Sequence, residues 1–459
     1  MAIATAGGFV TVYHCAYAWV AGSVLSDVYV RVDSGRITLV STQRPEGSVQ
    51  RLDGLVVPGF ANAHSHAFHR ALRGRTHDGG GSFWTWREAM YEVAHVLDPD
   101  LYHDLARATF AEMAQAGITS VGEFHYLHHR PDGSPYADPN AMATALREAA
   151  REAGLRLTLL DTCYLAGGLT GAGPEPLRPE QQAFSDGTVQ GWAQRAAGLS
   201  ADEHTVIGAA IHSIRAVPRD AIPAIVEWAT SVDPAGPRPL HTHLSEQPAE
   251  NDACIAAYGL SPTQVLHDAG ALGPRTTVVH ATHLTSGDIE LLGTTATTAC
   301  FCPTTERDLA DGIGPARGLL DAGAPLSLGS DQHAVIDPLE EMRALEMHER
   351  LLTLRRGRLS PTELLNAGTL SGHRSLGWPD AGSIAVGQRA DLVCLDLDSV
   401  RTAGSLPAQA MLAATAADIR TVIRDGAVIV ADGQHTRINV AQELNRAITE
   451  VWARVNSDQ

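Results

Sequence analysis

Two histidine pairs carry most of the chemical promise of this chain. His64-Ser65-His66 ends an apolar run that begins Leu55-Val56-Val57-Pro58-Gly59-Phe60, and His241-Thr242-His243 follows Arg238-Pro239-Leu240. Residues two apart on a strand share a face, so each pair can aim two imidazoles at one point. His280 comes directly after Thr277-Val278-Val279, and Asp331 after Leu326-Ser327-Leu328-Gly329-Ser330. Neutral imidazoles with one carboxylate, and a position left open for water, make a catalytic zinc-type centre. A lone buried histidine is more often a packed core residue. The same residue types at the ends of four successive apolar runs ask for a common explanation.

Some assignments stay open on these grounds. Parity does not choose between His241 and His243. Glu246, three residues beyond His243, is placed to shuttle a proton beside a metal, the plainer alternative being a solvated loop acid. His283 competes with His280 but lies deeper in its loop, so His280 is preferred. Cys300-Phe301-Cys302 reads as two buried structural thiols rather than soft metal ligands.

Such groups need a scaffold that gathers strand ends. The middle of the chain repeats one unit of helix, Ala-Gly and apolar strand, at Ala116-Gly117, Ala153-Gly154, Ala269-Gly270 and Ala322-Gly323. Glycine ends a helix in the left-handed conformation, so each Ala-Gly reads as a helix stop. Asp98 and Pro99 supply a matching start, as N-cap and first-turn residue. Short apolar strands alternating with helices imply parallel βα units. The expected fold is α/β, a (β/α)₈ TIM-type barrel over residues 58–380, with reactive groups at the C-terminal ends of its strands. Residues 1–57 and 381–435 carry short β-rich stretches separated by turns, expected to pair into one small composite β-domain. Residues 436–459 are expected to close the chain with a helix.

Composition bounds the function. A formal charge of −18 argues against nucleic acid or an anionic membrane as partner. No run approaches a membrane span, the N-terminus lacks a basic leader region, and the six cysteines show no CxxC spacing. A reduced, cytoplasmic protein is expected.

Val57-Pro58-Gly59-Phe60-Ala61-Asn62-Ala63-His64-Ser65-His66, the His243/Glu246 pair, His280, Gly329-Ser330-Asp331 and Ala390-Asp391-Leu392-Val393 together resemble the amidohydrolase superfamily. The resemblance spans essentially the whole chain and implies the same barrel and β-domain. It also implies metal ligation by His64, His66, His243 and Asp331, with Glu246, His280 and Asp331 catalytic. All 34 basic residues are arginine. Many relatives of this kind bridge two metals with a carboxylated lysine, so a chain without lysine fits the mononuclear, deaminase-like branch. One divalent cation per chain is expected, Zn2+ first and Fe2+ also compatible.

A narrower likeness rests on Ser82-Phe83-Trp84-Thr85-Trp86-Arg87, Gly122-Glu123-Phe124-His125-Tyr126 and Ile211-His212-Ser213-Ile214-Arg215. These segments are similar to those of the formimidoylglutamate deiminases of histidine degradation. The resemblance implies that Arg87, Tyr126, His212 and Arg215 hold the glutamate part of a small dicarboxylate substrate, that ammonia is released from N-formimidoyl-L-glutamate to leave N-formyl-L-glutamate, and that the protein is a homodimer. Arginine forks suit carboxylates because they bind them bidentately. The plainer readings are stacking of Arg87 on its tryptophans and packing of Tyr126 and His212 behind the site. His69 stands where that family carries glutamine and is counted as substrate-binding, while Gln332 replaces an expected serine. The alternatives are another mononuclear deaminase, acting on a nucleobase or related amine, and a catalytically silent barrel scaffold.

Overall fold

A computed structural model describes residues 10–77, 81–231 and 238–458 of the chain. Eight parallel strands form one sheet that curls almost onto itself: β1 (Phe60–Ser65), β2 (Ile118–His125), β3 (Arg156–Cys163), β4 (Thr205–Ile211), β5 (Leu240–Leu244), β6 (Thr276–His280), β7 (Thr298–Phe301) and β8 (Leu326–Leu328). The ring is completed by an isolated parallel bridge between Ser65 and Asp331, where His66 N–H donates to the Asp331 carbonyl at 3.2 Å. The seam of the barrel thus falls on the residues singled out for chemistry.

Strands β2 and β3 are buried at every position, as expected for parallel strands covered on both faces. The covering helices bury one stripe each. Helix Ala141–Ala153 buries Met142, Ala145, Leu146, Ala149 and Ala153 at helical spacing. The four Ala-Gly stops behave as the sequence suggests, since Gly117, Gly154, Gly270 and Gly323 all carry positive φ, between 72° and 99°. At the start of helix Pro99–Gln115, the Asp98 side chain accepts from Leu101 N–H at 2.9 Å.

Both ends of the chain meet in a second eight-stranded sheet. Its order runs Gln434–His435, Ala427–Ala431, Ile419–Arg424, Leu392–Leu395, Gln50–Pro58, Thr11–Val20, Ser23–Asp33, Arg36–Ser41. N- and C-terminal strands join where Leu392 pairs antiparallel with Pro58 and Val393 with Val57. The architecture is therefore the expected α/β barrel with a composite β-domain. Helix Val440–Asp458 ends the described chain. Among the described residues no helix is long and apolar enough to cross a membrane.

The Ala390-Asp391-Leu392-Val393 motif clamps the two sheets together. Asp391 is fully buried and paired with the equally buried Arg156 of β3. Arg156 also reaches Asp425 at 3.0 Å and Ser120 Oγ at 3.1 Å, and Asp391 accepts Asp425 N–H at 2.9 Å. Gly59 lies at this junction because nothing larger fits. A Cβ there would sit 2.5 Å from Thr119 Oγ1 and 2.9 Å from Asp391 Cβ.

Candidate active site

Strand ends deliver the side chains. His64 comes from β1 and His66 from just beyond it, His243 from β5, His280 from the last residue of β6, and Asp331 from just beyond β8. His64 Nε2 lies 3.2 Å from His243 Nε2 and 3.3 Å from Asp331 Oδ1, and His66 Nε2 lies 3.4 Å from the same oxygen. These are the distances expected of ligand atoms converging on one small cation.

The outer nitrogens show that the donors fit a cation. His66 Nδ1 is 3.0 Å from the Phe124 carbonyl, and His243 Nδ1 is 2.8 Å from the His212 carbonyl. A carbonyl only accepts, so each ring carries its proton on Nδ1 and turns an Nε2 lone pair inward. Burial, reinforced by the neighbouring imidazoles, pushes His64 and His243 well below the usual histidine range and His66 down to about 3. Neutral imidazoles beside a carboxylate are what a divalent ion requires.

His241 is excluded from this group. It points the same way as His243 but one layer deeper, where its Nε2 bonds the Ser375 carbonyl at 3.0 Å. His283 likewise turns away, to the Asp311 carbonyl at 2.7 Å. His280 faces inward, with Nε2 3.6 Å from Glu246 Oε1 and 3.8 Å from Asp331 Oδ2. Burial by itself would lower its pKa, but the carboxylates of Glu246, Glu306 and Asp331 raise it to about 10. The backbone is left-handed at His280 (φ 70°), Asp331 (φ 43°) and Ser245 (φ 49°). Such conformations cost on the order of 1–3 kcal/mol each and cluster where side chains must be aimed. Here they are pinned by neighbouring strands, Ala281 N–H to Leu244 O at 3.0 Å and Asp331 N–H to His64 O at 3.0 Å.

Above this floor opens a cleft of about 640 Å3, counting its mouth. Its walls bring together His69, Arg87, Tyr126, His212, Arg215 and Glu246 with the inward faces of His66, His243, His280 and Asp331. Only His64, beneath the others, does not line it. His69 Nε2 shares a 3.0 Å hydrogen bond with Tyr126 Oη, and burial holds the His69 ring well below the usual range, hence neutral. Arg87 stacks on Trp84 and Tyr91 at 5.0 and 5.4 Å, so the plainer reading and the cleft position hold together. Among the described residues no carboxylate pairs with Arg87, and its buried Nε lacks a partner. Arg215 is placed differently, 2.8 Å from Glu246 Oε2 and 3.3 Å from Glu250 Oε2. Gln332 points out of the cleft, donating to Asp308 at 2.8 Å. Cys300 and Cys302 are buried and free, and burial pushes the Cys302 thiol well above its usual pKa.

Several contributors escape the sequence reading. Glu123 accepts Ser65 Oγ–H and Ala67 N–H, both at 2.6 Å, and so braces the turn between the first two histidines. Burial lifts its carboxyl to about 8. A carboxylate inside a strand buried at every position is costly, and that was the available signal. Glu306 holds His280 Nδ1 at 3.4 Å and is itself fixed by Cys302 N–H at 2.7 Å. Glu250, Tyr91, Tyr164 and Gln181 lie in segments without a local signature.

The profile of the Amidohydrolase family matches residues 55–430. The formimidoylglutamate deiminase of Pseudomonas aeruginosa is 36% identical over 88% of this chain and 92% of its own. The 8-oxoguanine deaminase of the same organism is 29% identical over 90% and 92%. An amidohydrolase from Brucella melitensis superposes with a TM-score of 0.86 at 30% identity, covering 96% of this chain and all of its own.

Proposed function

The chain belongs to the amidohydrolase family, a placement that makes it a hydrolase of C–N bonds, and from that premise we propose that it deiminates N-formimidoyl-L-glutamate to N-formyl-L-glutamate and ammonia. One observation carries the choice of substrate: a His/Asp cation site and two guanidinium groups, Arg87 and Arg215, share a single cleft. A linear amidine with a carboxylate at either side of its chain needs that combination. The 36% identity to a formimidoylglutamate deiminase supports the same reading.

His64, His66, His243 and Asp331 would hold one divalent cation, zinc by ligand type. Bound there, such a cation supplies Lewis acidity and brings the pKa of a water toward neutrality. The chain's own groups do the rest. Asp331 Oδ2, facing His280 Nε2, takes a proton from the attacking water. His280 is held in place through Nδ1 by Glu306 and steadies the charge that develops on that water's oxygen. Both protons of the attacking water end on the imino nitrogen: the one taken by Asp331, and the one left on the hydroxyl of the tetrahedral carbon, which Glu246 Oε1 accepts and passes on. The C–N bond breaks as the formyl C=O forms, and NH leaves as ammonia. Arg87, Arg215, Tyr126, His69 and His212 grip the carboxylates.

Ammonia release by purified protein given N-formimidoyl-L-glutamate, with guanine, cytosine and adenosine in parallel, tests this. Turnover of formimidoylglutamate alone is expected, abolished by a chelator and restored by zinc. Turnover of a base instead overturns the substrate assignment, and full activity in metal-free protein overturns the cation site. Arg87→Met removes a charge that pairs with no carboxylate among the described residues, so its loss should fall on substrate alone. KM is expected to rise roughly 10- to 100-fold with kcat nearly unchanged. An unaltered KM removes Arg87 from the substrate grip.

A further inference from the structure

Tyr91 and Tyr164 meet over the buried amide of Gln181, and the protons there can be counted. Arg178 N–H donates to Gln181 Oε1 at 2.9 Å, which fixes the amide's orientation. Nε2 then lies 3.0 Å from Tyr91 Oη, 3.0 Å from Tyr164 Oη and 3.1 Å from the Gly167 carbonyl. It has two hydrogens for three acceptors. The carbonyl can only accept, so a single amide hydrogen is left for the two phenol oxygens. Two phenolic protons remain to be placed, and at most one of them can bridge the two oxygens. At least one O–H therefore finds no acceptor among the described residues. Both phenols line the cleft, as Arg87 and Arg215 do. Tyr164 packs edge-on to His212, with ring centroids 4.5 Å apart.

We propose that the Tyr91–Tyr164 pair, set by Gln181, is a specificity-determining donor that turns one phenolic O–H into the cleft for a substrate carboxylate. The inference rests on the formimidoylglutamate reading and extends it. A carboxylate accepts about four hydrogen bonds and donates none, so guanidinium forks leave lone pairs for a neutral donor. An O–H locked on its far side by a buried amide is preorganised for that role; it discriminates against a hydrocarbon at the same place and favours a carboxylate over an amide carbonyl by the strength of a charge-assisted bond. Burial raises the pKa of the Tyr164 phenol, which keeps the proton available.

The test uses full-length protein and the variants Tyr164→Phe and Tyr91→Phe/Tyr164→Phe. In the single variant both Gln181 amide hydrogens keep acceptors, on Tyr91 and Gly167, so the fold should persist and thermal melting checks it. KM for N-formimidoyl-L-glutamate is expected to rise on the order of tenfold or more by the double variant, with kcat changed less than about twofold. N-formimidoyl-L-glutamine and N-formimidoyl-L-isoglutamine, the two mono-amides, then locate the contact. For one of them the substitutions should cost clearly less than for the diacid, because its facing carboxylate is replaced by an amide carbonyl that accepts only a weaker, neutral bond. A KM unchanged in both variants overturns the proposal, and so does an equal shift for the diacid and both mono-amides, which would mean a merely loosened wall. If the double variant does not fold, the two single variants Tyr164→Phe and Tyr91→Phe decide together, and a KM unchanged in both overturns the proposal. Wild-type protein that ignores formimidoylglutamate overturns the underlying reading itself, and this donor assignment with it.

Discussion

Asp331→Asn is expected to lower kcat by at least about 10³-fold and to weaken cation binding at the same time, in a protein that still folds. In the proposed mechanism the side chain stands at the crossing of two functions. Oδ1 faces His64 and His66 at 3.3 and 3.4 Å, while Oδ2 faces His280 at 3.8 Å. Asparagine keeps the shape but loses the charge a cation needs and the basicity that accepts a proton. Glu246→Gln provides the contrast. Glu246 lies on His280 and Arg215, outside the four converging ligand atoms, so turnover should fall about 10²- to 10⁴-fold with metal content intact. Metal analysis beside steady-state kinetics separates the two. Equal metal loss in both variants, or an active Asp331→Asn, would break the division of labour assigned to the two carboxylates.

Arg156→Met is expected to cost about 3–5 kcal/mol of stability, read as a lower thermal midpoint, far from the cleft. The guanidinium is fully buried and is the counterion of the buried Asp391, with Asp425 at 3.0 Å. Removing it leaves a carboxylate with no water and no cation, a larger penalty than the pair's own net contribution. Restoring neutrality with Arg156→Met/Asp391→Asn should recover much of the loss, since no charge is then stranded. The pH dependence follows with a definite sign. Burial alone would raise the Asp425 pKa, but Arg156, Arg424 and Arg389 hold it below the usual carboxylate range. Its contribution is therefore complete above the unfolded value of about 3.9 and is lost as pH falls below it. A melting midpoint unaffected by Arg156→Met would mean that the two sheets do not depend on this clamp.

Legibility differed between fold and site for definite reasons. Helix stops, strand runs and β-rich ends are local, short-range facts, and the Ala-Gly units carried the barrel because positive φ at a helix end is a demand on one residue. The convergence of His64, His66, His243 and Asp331 was nearly as legible, since barrel strands deliver their last residues to a common face. The walls of the cleft were not. Glu250, Glu306, Tyr164 and Gln181 come from helices and loops whose neighbours are set by packing. A glutamate that will hold a histidine looks, in sequence, like any glutamate in the first turn of a helix.

The clearest boundary between the two kinds of information runs through His241 and His243. Period-two alternation put both imidazoles on the inner face, and sequence could go no further, because parity is blind to depth. Two residues along a strand are about 6.6 Å apart, yet His64 and His66 converge on one Asp331 oxygen at the end of β1, so spacing alone does not say which pair can share a site. Only the stagger of β5 against β1 and β8 decides that His243 meets His64 while His241 meets the Ser375 carbonyl. The chain by itself determined which residue types reach the mouth of the barrel. The closed ring of hydrogen-bonded strands decided their height, and with it which of them can share one ion.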